Sequence, residues 1–225
     1  TGVFTEVANE GFAHPQHVIF GVWSPDSKWL AYTKRLANEY SAIFIYSLDQ
    51  KKSFQITDGM SDCVMPAWDK SGKYVYFLGS IDYGMNVGWL DMSSYDHPVN
   101  RSIYAAVLSK DDESPLAPES DDEELEKTKQ PEPEKADAKK KKSGSKEEKP
   151  EESKVPIVKV DIEGISRRII ALPVPARPYV QLKTAKDGVI LYTEQTPNEQ
   201  SLTLNRFTLE KKKAEKVADG ILVFV

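Results

Sequence analysis

The chain has 225 residues and a mass of 25.3 kDa, is 40% hydrophobic, 29% charged and 10% aromatic, and carries a formal net charge of −5. That length supports one sizeable core or two small ones. No stretch approaches the roughly 18–20 consecutive apolar residues of a membrane-spanning helix, and the opening TGVFTE has neither a basic nor an apolar signal region. Cys63 is the single cysteine, which excludes an internal disulfide framework and a Cys-based zinc site. Without an initiator Met, and with the apolar run ILVFV at its end, the sequence is expected to be a piece of a longer protein.

Near the start, His14-Pro-Gln-His17 has two imidazoles three residues apart, close to the spacing of a metal pair. The intervening Pro argues for a loop, and no third ligand lies nearby, so loop histidines are the better reading. A repeat then opens. Phe20-Gly-Val-Trp-Ser-Pro-Asp-Ser-Lys-Trp-Leu-Ala-Tyr-Thr33 predicts a strand, a polar turn and a second, alternating strand. Pro25 suits a turn position that wants φ near −65°, and Asp26 can bond back onto the backbone. Residues 42–48 (AIFIYSL) predict a third strand, 49–52 a hairpin and 53–57 an outer strand. Asp58 and Asp62 invite a calcium reading, but the further ligands of a Ca²⁺ loop are missing, and a connector between repeats is expected.

A second copy follows at an offset of 45 residues: Trp68 matches Trp23, Lys73 matches Lys28 and Phe77 matches Tyr32. Ser71-Gly72 supplies its turn, and Gly there tolerates φ > 0. Residues 80–89 (SIDYGMNVGW) are rich in Gly, aromatic and polar groups. Such a stretch suits the face of a β-domain, where Tyr83, Asn86 and Trp89 are candidates to hold an extended peptide. Packing at the top of the repeat is the competing role for Tyr83 and Trp89. The third strand of this copy is expected at 102–108.

The hairpin is then interrupted by residues 110–154, which hold 16 acidic and 11 basic residues, with Leu116 and Leu125 as the only large apolar ones. Such a segment cannot bury enough surface to offset its ordering entropy, so disorder is expected. It accounts for the entire net charge, leaving 19 Lys+Arg against 19 Asp+Glu elsewhere. A folded part so balanced argues against a nucleic-acid binder. The Lys run at 139–142 has acidic neighbours and reads as part of a solvated linker.

The outer strand of the second copy is expected at 156–160 or at 167–172. Arg168 is a further candidate to anchor a peptide carboxylate, though in a strand only one of Arg167 and Arg168 can face a channel. A third, weaker copy begins at Tyr179, with Asp187-Gly188 as its turn, and continues through 201–207 and 214–217. Residues 221–225 are expected to open a fourth. Four short strands repeated about every 45 residues mark β-propeller blades. The fold class is all-β: a partial propeller of about three to four four-stranded antiparallel blades, at 1–109 and 155–225, interrupted by the disordered insert at 110–154.

The SPDSK turn followed by an aromatic strand is similar to TolB-type and WD40-like propellers. ITDGMSD (56–62), YFLGSIDYG (76–84), LAPESDD (116–122) and ALPVPAR (171–177) more specifically resemble homologues of tricorn protease, an S41-type serine peptidase. The resemblance implies a segment of the second, larger propeller, a conduit that guides or filters peptides on their way to an active site elsewhere. It also implies a parent with PDZ and catalytic portions, assembled as a hexamer. The family's catalytic Ser and His belong to portions not represented here, so no catalytic residue is carried over, and no cofactor or metal is implied. The cytoplasm is the expected compartment, with the periplasm the alternative. Two other readings are a stand-alone TolB- or WD40-like interaction propeller and the propeller of a prolyl-oligopeptidase-type enzyme. No G-x-S-x-G elbow is present to support a hydrolase site within the chain.

Overall fold

The computed structural model describes residues 2, 4–10, 19–83, 99–117, 155–196 and 201–222. Two units are distinguished, residues 1–116 with 155–225 and residues 117–154, and the twelve strands found among the described residues belong to the first. They form three four-stranded antiparallel sheets. Sheet 1 is β1 (Gly21–Trp23), β2 (Trp29–Arg35), β3 (Ser41–Ser47) and β4 (Lys52–Gln55), in that order. Sheet 2 is β5 (Asp62–Trp68), β6 (Tyr74–Ser80), β7 (Ser102–Val107) and β8 (Ile169–Ala171). Sheet 3 is β9 (Tyr179–Thr184), β10 (Val189–Gln195), β11 (Leu202–Thr208) and β12 (Lys213–Ile221).

The three first hairpins close alike. The amides of Ser24, Asp69 and Ala185 donate to the carbonyls of Trp29, Tyr74 and Val189, at 2.9, 2.9 and 3.0 Å. In the first turn Ser24 Oγ donates to Asp26 Oδ1 (2.6 Å) and accepts from the Trp29 amide (3.0 Å), so two short polar side chains satisfy the groups that the turn leaves open. In the second, Gly72 has φ +76°, and a Cβ there would lie 2.9 Å from Val158 Cγ2. Turn geometry and close packing both demand glycine at that point.

Two expectations are resolved differently. Of the two candidate outer strands of sheet 2, the later one forms, because Ile169–Ala171 pairs with Tyr104–Ala106. Residues 156–160 are instead a plug: Val158 is buried in the core, and its amide donates to Asp26 Oδ2 at 3.0 Å. Ile221 does not open a fourth set of strands but ends β12, opposite Leu202.

Each sheet stacks on the next in chain order. One core lies between sheets 1 and 2, built from Ile43, Ile45, Trp68, Val75, Phe77 and Leu108 among others. A second lies between sheets 2 and 3, around Tyr76, Leu78, Ile103, Leu182, Ile190, Tyr192 and Phe207. The first strands converge: β5 packs on β1 and β9 packs on β5. Polar ties cross both seams. Trp68 Nε1 donates to the Val22 carbonyl (2.9 Å), and Thr184 Oγ1 donates to the Trp68 carbonyl (2.7 Å). Asp69, 1% exposed, accepts from the Tyr76 hydroxyl (3.1 Å) and the Gly188 amide (2.9 Å) with Oδ1, and from the Ser71 amide (3.0 Å) with Oδ2. Burial, reinforced by the Asp69 charge, pushes the Tyr76 phenol far up, so it stays a donor at every ordinary pH.

The excursion between β7 and β8 leaves through a closed neck. The Asp161 amide donates to the Leu108 carbonyl (2.9 Å), and Asp161 Oδ2 accepts from the Lys110 amide (2.9 Å) and Ser109 Oγ (3.2 Å). Lys159 pairs with Asp111 and, at 3.9 Å, with Asp161. Residues 110–116 therefore stay with the sheets, with Tyr74 Oη donating to the Glu113 carbonyl (3.3 Å).

Three outcomes follow from these contacts. Asp69→Ala leaves two amides and a phenol without their acceptor and is expected to cost roughly 3 kcal/mol, read by denaturant unfolding. Burial raises the Asp26 pKa, but bonds from Ser24, Val158 and Lys28 outweigh it and hold it below 3.8. Its contribution is thus present above the unfolded value and lost as pH falls through the lower folded one. The melting-temperature gap between wild type and Asp26→Asn should be open at neutral pH and narrow progressively as the pH falls below 3.8. Because the neck is tied independently of what lies beyond it, replacing residues 118–154 by a Gly/Ser linker of about ten residues should move the melting temperature by less than about 2 °C.

Candidate functional site

Antiparallel order sends alternate connections to opposite ends of the sheets. The insert leaves at the end that carries the Asp26 and Asp69 turns. The last residues of β2, β6 and β10 lie at the other end, and Tyr83, just after β6, stands there. Its ring meets that of Tyr40 edge-on, with centroids 6.3 Å apart and planes at 68°, which joins sheet 1 to sheet 2. Tyr40 is held by its own loop: Asn38 Oδ1 accepts from the Tyr40 amide (3.2 Å) while Asn38 Nδ2 donates to the Gly59 carbonyl (2.9 Å). Met60 and Ile81 flank the last paired residues, Asp62 and Ser80, and are 77% and 86% exposed.

Beside this apolar group runs a polar row. Asp62, buried, accepts from the Ser41 amide (3.0 Å) and pairs with Arg101 Nη2 at 3.6 Å. Arg101 and Arg177 exchange both main-chain bonds (2.8 and 3.2 Å), which stitches sheet 2 to sheet 3, and Arg177 pairs with Glu194 at 3.4 Å. Beneath it, the rings of Tyr179 and Tyr192 meet edge-on at 4.9 Å. Burial pushes both phenols up, that of Tyr192 to about 12 with help from the Glu194 charge, so neither exchanges protons near neutrality. Among the described residues no group of three or more His, Cys, Asp or Glu is placed to hold a metal. Cys63 is buried, and burial raises its thiol pKa, so it is not poised as a nucleophile. The arrangement of aromatic, aliphatic and paired ionic groups is suited to binding.

Of the residues that the sequence singles out, Tyr83 lies at this end, while Asn86, Trp89, His14 and His17 lie outside the described residues. Arg168 lies at the opposite end, in a 3-10 turn (Ile165–Arg168) that precedes β8. Its guanidinium donates to the carbonyls of Val107 (3.1 Å), Glu163 (3.0 Å), Leu108 (3.2 Å) and Asp161, buckling the neck of the insert. Asp58 and Asp62 go separate ways, the first capping its own turn at the Met60 amide (2.9 Å), the second tying two sheets. Sequence reading did not single out Tyr40, Arg101 or Arg177. Each precedes a strand, Arg177 at the end of the ALPVPAR stretch, and nothing in the neighbouring residues shows that sheet stacking brings it to the others.

Comparison with known proteins agrees with this architecture. Residues 13–225 match the family described as the tricorn protease second beta propeller domain. The chain is 26% identical over 171 residues to tricorn protease homolog 1 of Streptomyces coelicolor, covering 75% of this chain and 14% of that protein. It is 27% identical over 210 residues to a tricorn-like protein of Sulfurisphaera tokodaii, covering 90% of this chain and 20% of that protein. The crystal structure of the tricorn protease superposes with a TM-score of 0.58 at 16% identity, over 96% of this chain and 19% of that one. The chain thus spans a fifth or less of the length of these relatives, and at that identity the structural likeness speaks for the fold. Three stacked four-stranded sheets whose first strands converge, together with a family match over residues 13–225, make this chain a member of the tricorn protease second β-propeller family.

Proposed function

We propose that this propeller segment is a non-catalytic guide, which receives extended peptides at the Tyr40–Tyr83 end and passes them toward a serine-peptidase site outside residues 1–225. The parent is then a larger tricorn-type peptidase that works as a hexamer and takes peptides as substrates. Family membership over residues 13–225 is the observation that carries this reading. The paired rings of Tyr40 and Tyr83, with Met60 and Ile81 exposed at the same end, support it, because rings offer large contact area at low entropic cost and exposed apolar side chains add to it.

The test is peptide hydrolysis by the full-length parent and by its Tyr83→Ala/Ile81→Ser variant. A lost contact of about 1 kcal/mol should lower kcat/KM about fivefold for peptides of about ten residues or more. Cleavage of a short fluorogenic peptide should be unchanged. Equal losses on long and short substrates, or no loss on either, would count against the guide. Hydrolysis by residues 1–225 alone would overturn the non-catalytic assignment.

A further inference from the structure

Lysine is sorted to one end of the sheets. The turns that link β1 to β2, β3 to β4, β5 to β6, β9 to β10 and β11 to β12 each contain at least one, among them Lys28, Lys51, Lys70, Lys186 and Lys211. At the other end, residues 36–40, 56–61, 81–83 and 172–178 contain none. The arginines there are already committed: Arg35 pairs with Glu39, Arg101 with Asp62 and Arg177 with Glu194. Two carboxylates are left over. Asp58 is exposed and Asp82 half-buried, and among the described residues neither pairs with a cation.

Both aspartates belong to segments that are tied to the aromatic pair. The Gly59 carbonyl, next to Asp58, accepts from Asn38 Nδ2 (2.9 Å), and Asn38 Oδ1 accepts from the Tyr40 amide (3.2 Å). Tyr40 meets Tyr83 edge-on, and Asp82 is the chain neighbour of Tyr83. Each aspartate is also close in the chain to an exposed apolar side chain, Asp58 to Met60 and Asp82 to Ile81. Asp58 Oδ1 accepts from the Met60 amide (2.9 Å), which leaves its second oxygen for a ligand. A lysine or arginine side chain has the complementary build, an apolar stem that ends in a cation. Aromatic faces add to the attraction.

We propose that the Tyr40–Tyr83 end takes the cationic part of a peptide. A Lys or Arg side chain, distant along the peptide from the bond that is cut, lays its stem on the exposed apolar groups and brings its charge to Asp58 and Asp82. The choice of a peptide as ligand rests on the guide reading above. The charge preference is carried by the sorting of lysine and by the two unpaired carboxylates. Complementary charge acts chiefly on encounter and specificity, so the preference is for capture and weakens as salt screens it.

Hydrolysis by the full-length parent tests it, with long peptides that are identical around the cleaved bond. They differ about five residues away, roughly 17 Å along an extended chain, where a Leu is flanked by Lys, by Gln or by Glu on both sides. At about 50 mM salt, kcat/KM should be about fivefold higher for the Lys peptide than for the Gln peptide, the size expected of a pair of exposed ionic contacts. Asp58→Asn/Asp82→Asn keeps an acceptor for the Met60 amide. It should bring that ratio below about twofold and leave the Gln peptide unchanged, and about 0.5 M salt should lower the wild-type ratio in the same way. A wild-type ratio near one, a ratio that the variant leaves unchanged, or a preference for the Glu peptide overturns the proposal. The guide is read separately, by Tyr83→Ala/Ile81→Ser on long and short substrates. If that variant spares long peptides while the aspartate variant still lowers the Lys-to-Gln ratio, the guide fails and the cation preference stands.

Discussion

Sheets 1 and 2 are apolar on both faces, so neither can be stable as a single exposed layer. In sheet 1, Ile43 and Ile45 point one way while Tyr32, Phe44 and Tyr46 point the other. In sheet 2, Phe77 belongs to the first core and Tyr76 and Leu78 to the second, so consecutive residues of one strand serve two different seams. Burial of apolar surface therefore requires stacking, and stability passes from neighbour to neighbour along the series of sheets. Hydrophobic contact alone does not set the angle or register of that stack, since it is non-directional. The polar ties supply direction. Asp69 holds its own turn, a phenol of its own sheet and the Gly188 amide of the next sheet with one buried carboxylate.

The same repetition divides labour between the two ends. At the turn end, the connections are short and spend their polar groups on one another, so sheet 2 can carry a long charged insert there without opening its core. Arg168 and Asp161 close the neck, and Val158 plugs the seam against Asp26. At the opposite end Met60 and Ile81 are left to solvent. Ionic pairs there are stitched across seams by Asp62, Arg101 and Arg177, which frees Tyr40, Met60, Ile81 and Tyr83 from carrying the fold alone. A binding surface built on rigid seams is better placed to select than one built on a free loop.

Much of the fold was legible in the order of residues because blade chemistry is local. Trp23 and Trp68, the SPDS and DKSG turns and the alternating strands after them announce a hairpin without reference to anything distant. The outer strand of sheet 2 was not legible. Residues 156–160 and 167–172 are similar apolar runs, and the choice between them depends on where Tyr104 to Ala106 offers a free edge. Ile221 was misplaced for a related reason: Asp219-Gly220 reads as a turn, but β12 absorbs it as an irregularity opposite Leu202 and Leu204.

Of the described sequence candidates, Tyr83 stands at the Tyr40 end of the sheets and Arg168 at the other. Period, turn residues and charge distribution are properties of neighbouring positions, so the sequence by itself determined the all-β class, the repeating hairpins and the place of the charged insert. Which carboxylates tie sheets, which arginine buckles the neck and which is stitched across a seam depend on groups brought together from distant repeats. Arg168 and Arg101 are both cations that precede strands, yet one spends its guanidinium on carbonyls 5 to 61 residues away and the other pairs with buried Asp62. Tertiary structure decided those roles, because a side chain's function there is set by the distance and burial of its partner, which local chemistry does not encode.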